Sequence, residues 1–329
     1  MRHFPVRMLV LTVLPFLPFT GYGRIPDEYE SNGGHSLAFG GGGVAAVSGQ
    51  SSVKNNPAML ALEKQYTVSG TYNWPSYGRK FYQVGAVDSK TSAIATGLTY
   101  TSSQEKFSNY QEARDQDDRL QAFYDSPVKY RLDLGFGVSF SKLAAGLGVE
   151  YVEGFDKASL TPKLIKGPSF GLGLAGLITQ NLRFGISAEN LANEKVMNLS
   201  PRRYRAGFAY TLFNVDVTAH IDYSQRERIA GELAGEEAAT DNSIYSISPD
   251  QGIKNQEKMV TLSGSARVQD LVRLLASYGY ELGSTKRQSV GGGIALVNQN
   301  ISLSYLVHQP YQTGKSLHQG INLSLTMAL

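Results

Sequence analysis

The sequence of 329 residues has no cysteine and a single tryptophan, and only 18% of its residues are charged. Without cysteine the chain has no disulfide, no thiolate metal ligand and no lipid-modified N-terminal cysteine. Lysine and arginine number 31 against 28 aspartates and glutamates, which gives a formal net charge of +3. Nucleic-acid binding requires a concentrated basic surface, so we expect no nucleic-acid partner.

The sequence also lacks an apolar run long enough for a transmembrane helix. Its longest apolar stretch, residues 8–19, follows two arginines and contains Pro15 and Pro18. A spanning helix needs about 20 apolar residues. A short apolar stretch behind basic residues and before small ones is typical of an export signal. We therefore predict that residues 1–23 are a signal peptide and that the mature chain starts at Arg24.

Alternation of apolar and polar residues is the main pattern present. Every second residue from Val128 to Phe140 is apolar, and the residues between them are charged, serine or glycine. Ser141 and Lys142 form a predicted tight turn, and a second alternating run, 143–151, follows it. Successive side chains of a strand point to opposite faces, so each run has one apolar and one polar face. The two runs predict a β-hairpin.

Fourteen segments with this period predict an all-β fold. The odd-numbered connections between them are long and the even-numbered ones short, which is typical of outer-membrane barrels with long external loops and short periplasmic turns. We predict a transmembrane antiparallel β-barrel of about 14 strands over residues 65–329, with both termini in the periplasm. Outer-membrane lipid and the barrel-assembly machinery are its expected partners. The segments are 66–72, 82–87, 93–100, 128–140, 143–151, 170–177, 182–188, 204–212, 215–223, 260–268, 272–280, 290–296, 301–308 and 321–329.

Tyrosines support this orientation independently of connection length. On the predicted topology they fall at outer strand ends on the lipid-facing side, as in the aromatic belts of membrane proteins. The tyrosines in these positions are Tyr72, Tyr82, Tyr100, Tyr130, Tyr151, Tyr204, Tyr223 and Tyr280.

Residues 24–64 precede the first strand and do not alternate. Asn56 and Pro57 are typical of a helix start, with proline at the first helical position. The segment is either a plug inside the barrel or a periplasmic tail. We favour the plug, because small residues such as Ala93 and Gly97 face the predicted lumen, and wide barrels enclose a channel unless filled.

At these residues the chain resembles the FadL family of outer-membrane transporters of hydrophobic compounds. The resemblance lies in residues 40–45, which begin with four glycines, and in residues 52–61, which contain Asn55, Asn56, Pro57 and Ala58. The related PorV group, which serves protein secretion, has a similar glycine-rich lead and Asn-Pro-Ala element. The resemblance implies a 14-stranded barrel and a plug that contains these four residues.

Lumen-facing charges are candidates for ligand binding. Arg131, Arg203 and Arg205 lie near the predicted outer end, where they would attract the carboxylate of an amphipathic ligand. The alternative is a balanced charge network that braces the wall and the plug. His220 has neighbouring aspartates but no nucleophile motif accompanies it, and the four glycines precede no Gly-Lys-Ser/Thr element. We expect no enzyme activity, no cofactor and no metal.

The resulting hypothesis is passive uptake of hydrophobic or amphipathic small molecules, such as long-chain fatty acids. The alternative is a PorV-like outer-membrane scaffold or shuttle, which binds secreted proteins or a secretion machine without transport.

Overall fold

The computed structural model describes residues 37–75, 78–106, 129–156, 163–197, 199–213, 216–229, 254–269, 271–282, 288–298, 300–309 and 318–327. The predicted signal peptide, residues 1–23, and the first part of the predicted plug, residues 24–36, lie outside this set. No helix among the described residues is long and apolar enough to cross a membrane.

Fourteen antiparallel strands form a closed barrel in which every strand pairs with its sequence neighbours and β14 pairs with β1. The predicted fold class and strand number are confirmed. The strands are β1 (Tyr66–Pro75), β2 (Gly78–Asp88), β3 (Ala95–Lys106), β4 (Lys129–Phe140), β5 (Leu143–Asp156), β6 (Lys163–Leu177), β7 (Leu182–Glu189), β8 (Arg202–Leu212), β9 (Val217–Ile229), β10 (Lys254–Gln269), β11 (Val272–Glu281), β12 (Gln288–Val297), β13 (Ile301–Gln309) and β14 (His318–Met327).

Tyr66 at the start of β1 lies opposite Met327 at the end of β14. The barrel therefore begins and finishes at one end, which we call the terminal end; the other is the loop end. At the terminal end β4 and β5 are joined by Ser141 and Lys142, as predicted, and Ser141 has the positive φ of 60° that a tight turn requires.

The predicted alternation of long and short connections fails at the first pair. β1 continues to Pro75 and β2 begins at Gly78, so only two residues join them. β1 thus continues beyond residue 72, where the predicted strand ended. Trp74 packs on Tyr72 on the outer face of this extension, with ring centroids 5.3 Å apart. The second connection is longer than predicted and holds Ala93, which is exposed in the turn and does not face the lumen.

The predicted connection from Glu153 to Ser169 is also shorter in the structure. β5 runs to Asp156 and β6 begins at Lys163, and the two strands stay paired along this stretch. Backbone pairing thus continues past the point where apolar alternation ends in the sequence.

The outer surface of the barrel is apolar, and the eight predicted tyrosines share its outward parity. They lie in the middle or the loop-end half of their strands. Tyr72 and Tyr82 stack with ring centroids 4.8 Å apart, and Tyr100 and Tyr130 stack at 6.4 Å. Amphipathic rings of this kind suit a boundary between lipid and water.

Residues 37–64, which we call the inner segment, pack against the inner wall. The inner segment contains two short helices, α1 (Gln50–Asn55) and α2 (Met59–Leu62). Met59 and Leu60 are 0% exposed and form one apolar cluster with wall residues that include Val87 and Ala144. The main apolar core of the molecule therefore lies inside the barrel, between the inner segment and strands β2 to β6.

Candidate functional site

Glycines line the inner wall where the inner segment passes. A Cβ at Gly146 of β5 would overlap the backbone of Pro57 and Ala58, and one at Gly173 of β6 would overlap the side-chain oxygen of Asn56. At Gly137 of β4 a Cβ would stand 2.8 Å from the carbonyl oxygen of Pro57. Glycine permits this approach of two backbones because it has no side chain. The sequence signal was the presence of small residues on the predicted inner strand faces.

The side chain of Asn56 bonds two other residues of the inner segment and one residue of the wall. Its side-chain nitrogen donates to the carbonyl oxygens of Val44, at 3.0 Å, and of Leu174, at 3.3 Å. Its side-chain oxygen accepts from the backbone N–H of Ala58 at 3.2 Å. The buried amide of Asn56 thus stabilises two turns, the glycine-rich turn at residues 40–44 and the turn at Pro57.

The glycine-rich turn is anchored on the wall by a carboxylate. The backbone N–H groups of Gly43 and Val44 donate to the two oxygens of Asp222 on β9, at 2.7 and 2.9 Å. Gly43 has φ of +89°, a backbone conformation that side-chain-bearing residues rarely adopt. Next to this anchor Phe39 contacts His220 edge to face, with ring centroids 4.7 Å apart.

The three arginines predicted to face the lumen do so, and all are buried. Arg131, Arg203 and Arg205 are 2%, 2% and 3% exposed. The Arg205 guanidinium contacts Glu189 at 2.5 Å and donates to the side-chain oxygen of Asn55 at 3.0 Å. Arg205 therefore links wall to inner segment.

The remaining lumen charges at the loop end are also paired. Arg131 contacts Asp133 at 2.9 Å, and Lys54 of α1 contacts Glu150 at 3.0 Å. Glu150 also accepts a hydrogen bond from Ser200 at 2.8 Å. These contacts form the kind of wall-bracing network that was the alternative to ligand binding. The sequence alone could not pair Lys54 with Glu150, because 96 positions separate them along the chain.

The inner segment separates two cavities of unequal size. On the loop side a space of about 20 Å³ is lined by Lys54, Pro57 and strand residues that include Glu150, and it has room for about one water. On the terminal side a cavity of about 240 Å³ is bordered by Phe39, Ala46, Ser48 and Glu63 of the inner segment. The inner segment thus borders the larger cavity on the terminal side and the smaller space on the loop side.

The terminal cavity is lined by ion-paired arginines as well as by apolar side chains. Arg183 and Arg273 lie on its wall, where Arg183 contacts Glu63 at 3.0 Å and Arg273 contacts Asp216 at 3.1 Å. Its apolar lining consists of Phe39, Ala46, Ala209 and Leu275. The sequence had placed both arginines in the lumen, but their convergence with Glu63 on a common cavity requires the closed barrel.

The described residues contain no arrangement typical of catalysis. The Nδ1 atom of His220 lies 2.9 Å from the Ser263 hydroxyl, while the neighbouring Asp222 is bonded to the inner segment. A catalytic triad would need an acid on the other nitrogen of the imidazole. Within the described ranges no three histidine, aspartate or glutamate side chains converge as metal ligands do.

Comparison with known proteins shows similarity in structure only. No protein-family profile matches the sequence, and no curated protein matches it. The toluene transporter TbuX of Ralstonia pickettii is 12% identical, with a TM-score of 0.58 over 91% of this chain and 98% of its own. For the toluene transporter TodX of Pseudomonas putida the values are 12%, 0.54, 93% and 97%. A FadL homologue of Pseudomonas aeruginosa gives 10%, 0.56, 94% and 98%.

The likeness extends over nearly the whole length of both chains in each comparison. It confirms, at the level of fold, the resemblance that the glycine-rich and Asn-Pro-Ala residues had suggested. The chain has the fold of the FadL-like outer-membrane transporters.

Proposed function

We propose that this protein is an outer-membrane channel for passive uptake of hydrophobic or amphipathic small molecules. The observation that carries the proposal is the position of the inner segment, which packs inside the barrel and borders a cavity of about 240 Å³ towards the terminal end. Structures with this fold include proteins described as toluene transporters. A gated path requires a segment that can block the lumen and a cavity beyond it that can receive the ligand.

Passage requires the inner segment to move, and its attachments allow this. It is held by hydrogen bonds that include those to Asp222 and Arg205, by ion pairs of Lys54 and Glu63, and by apolar packing. Each hydrogen bond contributes about 0.5–1.5 kcal/mol net, and those to charged groups about 1.5–3 kcal/mol. Contacts of this strength can be exchanged for contacts to a ligand.

The lining of the cavity supports an amphipathic ligand. Phe39 and Leu275 offer apolar surface, while Arg183 and Arg273 offer guanidinium groups in the same lining. Guanidinium groups bind carboxylates through charge-assisted hydrogen bonds. Long-chain fatty acids combine these two features and are our proposed ligand class. In this scheme Arg131, Arg203 and Arg205 bind the carboxylate earlier on the path, once Arg205 has released Asn55.

We also propose that the terminal end faces the periplasm. All six connections at that end are short, from two to six residues, and the loop end has the longest ones. Short turns inside and long loops outside are the usual arrangement of outer-membrane barrels. A protease-cleavable tag after Leu329 should therefore be protected in intact cells and cut only after the outer membrane is opened.

Deletion of residues 24–56 tests the proposal. The variant keeps the barrel strands and loses most of the inner segment, so we expect higher ion conductance in planar bilayers and altered uptake of a labelled fatty acid into liposomes. Heat-modifiable migration on gels verifies that the barrel has assembled. An assembled variant with unchanged conductance and uptake would refute the gating role of the inner segment.

A further inference from the structure

Two histidines lie opposite each other on the inner wall near the loop end. His308 of β13 and His318 of β14 are direct cross-strand partners, and they are only 2% and 1% exposed. Directly opposite residues on neighbouring strands have Cβ atoms about 4.5–5.5 Å apart and project to the same face. The two imidazoles can therefore reach a common point inside the barrel.

The barrel fixes the position of this pair on both sides. His308 lies opposite Gly291 of β12, and His318 lies opposite Pro75 of β1. Each backbone is thus restrained by two neighbouring strands. Side chains on a rigid backbone lose little further freedom when they bind a common ligand.

Hydroxyl oxygens lie close to the pair. A Cβ added to Gly40 of the inner segment would stand 3.4 Å from Nε2 of His308, 3.5 Å from the Ser277 oxygen and 3.7 Å from the Ser289 oxygen. Gly40 has φ of +57°, so a residue with a side chain is disfavoured here on backbone grounds as well. A ring nitrogen and two hydroxyl oxygens therefore surround a space that the inner segment leaves without a side chain.

We propose that His308 and His318 bind a divalent transition-metal ion of the copper, nickel or zinc class. Imidazole nitrogens suit these ions, at metal distances of about 2.0–2.1 Å. Two nitrogens at that distance from one ion are about 3 Å apart in tetrahedral or square-planar geometry, which the cross-strand spacing allows. Water and hydroxyl oxygens complete the coordination. The ion joins β13 to β14 beside Gly40, and so braces the wall where the inner segment begins.

The proposal does not depend on which molecule the barrel transports, and wild-type protein gives the first test. We would purify the full chain in detergent, remove metal with a chelator and titrate Cu²⁺ with a competing chelator present. We expect one tightly held ion per chain. Its electron paramagnetic resonance spectrum should show hyperfine coupling to two imidazole nitrogens. A spectrum with one coupled nitrogen or none would overturn the proposal.

Substitutions supply the second test. Loss of a group that merely orients a metal ligand lowers affinity about 10–100-fold, so His308→Gln and His318→Gln should each weaken Cu²⁺ binding at least about tenfold. His220→Gln is the matched control, because His220 is also a buried inward histidine but lies on β9, which pairs with neither β13 nor β14. Binding that survives both pair substitutions, or falls equally with His220→Gln, would assign the ion elsewhere and contradict the proposal.

Discussion

Single glycines decide how closely the inner segment approaches the wall. Gly146 and Gly148 lie on the same inward face of β5, but only the first meets the backbone of the inner segment. Around a Cβ at Gly148 the nearest atoms would be 3.8–3.9 Å away, an ordinary contact distance. The two positions form a natural pair for testing whether the inner segment occupies the lumen.

We expect Gly146→Ala to displace the inner segment and Gly148→Ala to be neutral. The added methyl group at residue 146 overlaps backbone atoms of Pro57 and Ala58, which cannot move independently of their turn. Overpacking of this kind costs about 1–3 kcal/mol. Thermal unfolding and single-channel conductance of both variants measure the effect. Equal behaviour of the two variants would show that the inner segment does not pack against this wall.

The sequence predicted which residues face inward better than it predicted their partners. Strand parity placed Arg131, Arg203 and Arg205 in the lumen, and the structure buries all three there. It could not identify Asn55 as a partner of Arg205, because 150 positions separate them and only barrel closure brings them together. The anchoring role of Asp222 was missed for the same reason, although its inward orientation was predicted.

At the scale of elements, β7 is the shortest strand and the connection after it packs into the loop end of the barrel. β7 spans eight residues and is followed by a short 3₁₀ helix, Glu194–Val196. Val196 is 0% exposed and clusters with Val152 and Leu199, with Ile165 packed alongside. This small apolar cluster holds the connection over the inner face of β6.

We expect Val196→Ala to loosen this connection and Lys195→Ala to leave it unchanged. Val196 is buried and Lys195, its neighbour, is exposed. Removing two buried methyl groups costs about 1–3 kcal/mol, which favours local opening. Limited proteolysis of the assembled protein should cut the first variant faster between residues 190 and 201. Identical cleavage rates would mean that the cluster does not hold the connection.

Strand number was predictable because each strand carries its own alternation, whereas strand ends were not. β1, β5 and β6 extend past the alternating residues, since ladder hydrogen bonds to a neighbouring strand continue where apolar patterning stops. The error in the predicted strand ends is largest for the connection after β1. The sequence pattern predicted a long connection there, and the structure has one of two residues. Where a strand ends depends on pairing with its neighbouring strands, and the alternation within one segment gives no information about that pairing.

For the whole molecule, the central feature is a barrel whose lumen is divided by its own N-terminal residues. Periodicity and connection lengths predicted the closed barrel, and inward glycines favoured a filled lumen. The position of the inner segment was not predictable, because it depends on hydrogen bonds that join it to Asp222, Arg205 and Leu174 of the wall, and these partners are far apart along the chain. The same geometry leaves the larger cavity at the terminal end.

A reversible covalent lock between the inner segment and the wall tests this account most directly. A Cβ at Gly207 would lie 2.9 Å from Cγ1 of Val44, and a Cβ lies about 3 Å from the partner sulfur in a disulfide. The double substitution Val44→Cys with Gly207→Cys therefore places a sulfur correctly, in a chain that has no other cysteine. The Asp222 side chain is also close to this Cβ and must turn away, and the disulfide replaces its anchor. The carbonyl oxygen of Ile221 would be 2.8 Å from the Cβ, so the wall backbone must also shift slightly.

The reduced form of the same double variant is the control, because it carries both substitutions without the lock. Uptake of a labelled fatty acid into liposomes should stop in the oxidised protein and return when the disulfide is reduced. Equal uptake by the oxidised and reduced forms would contradict the claim that the inner segment must leave its place for a ligand to pass.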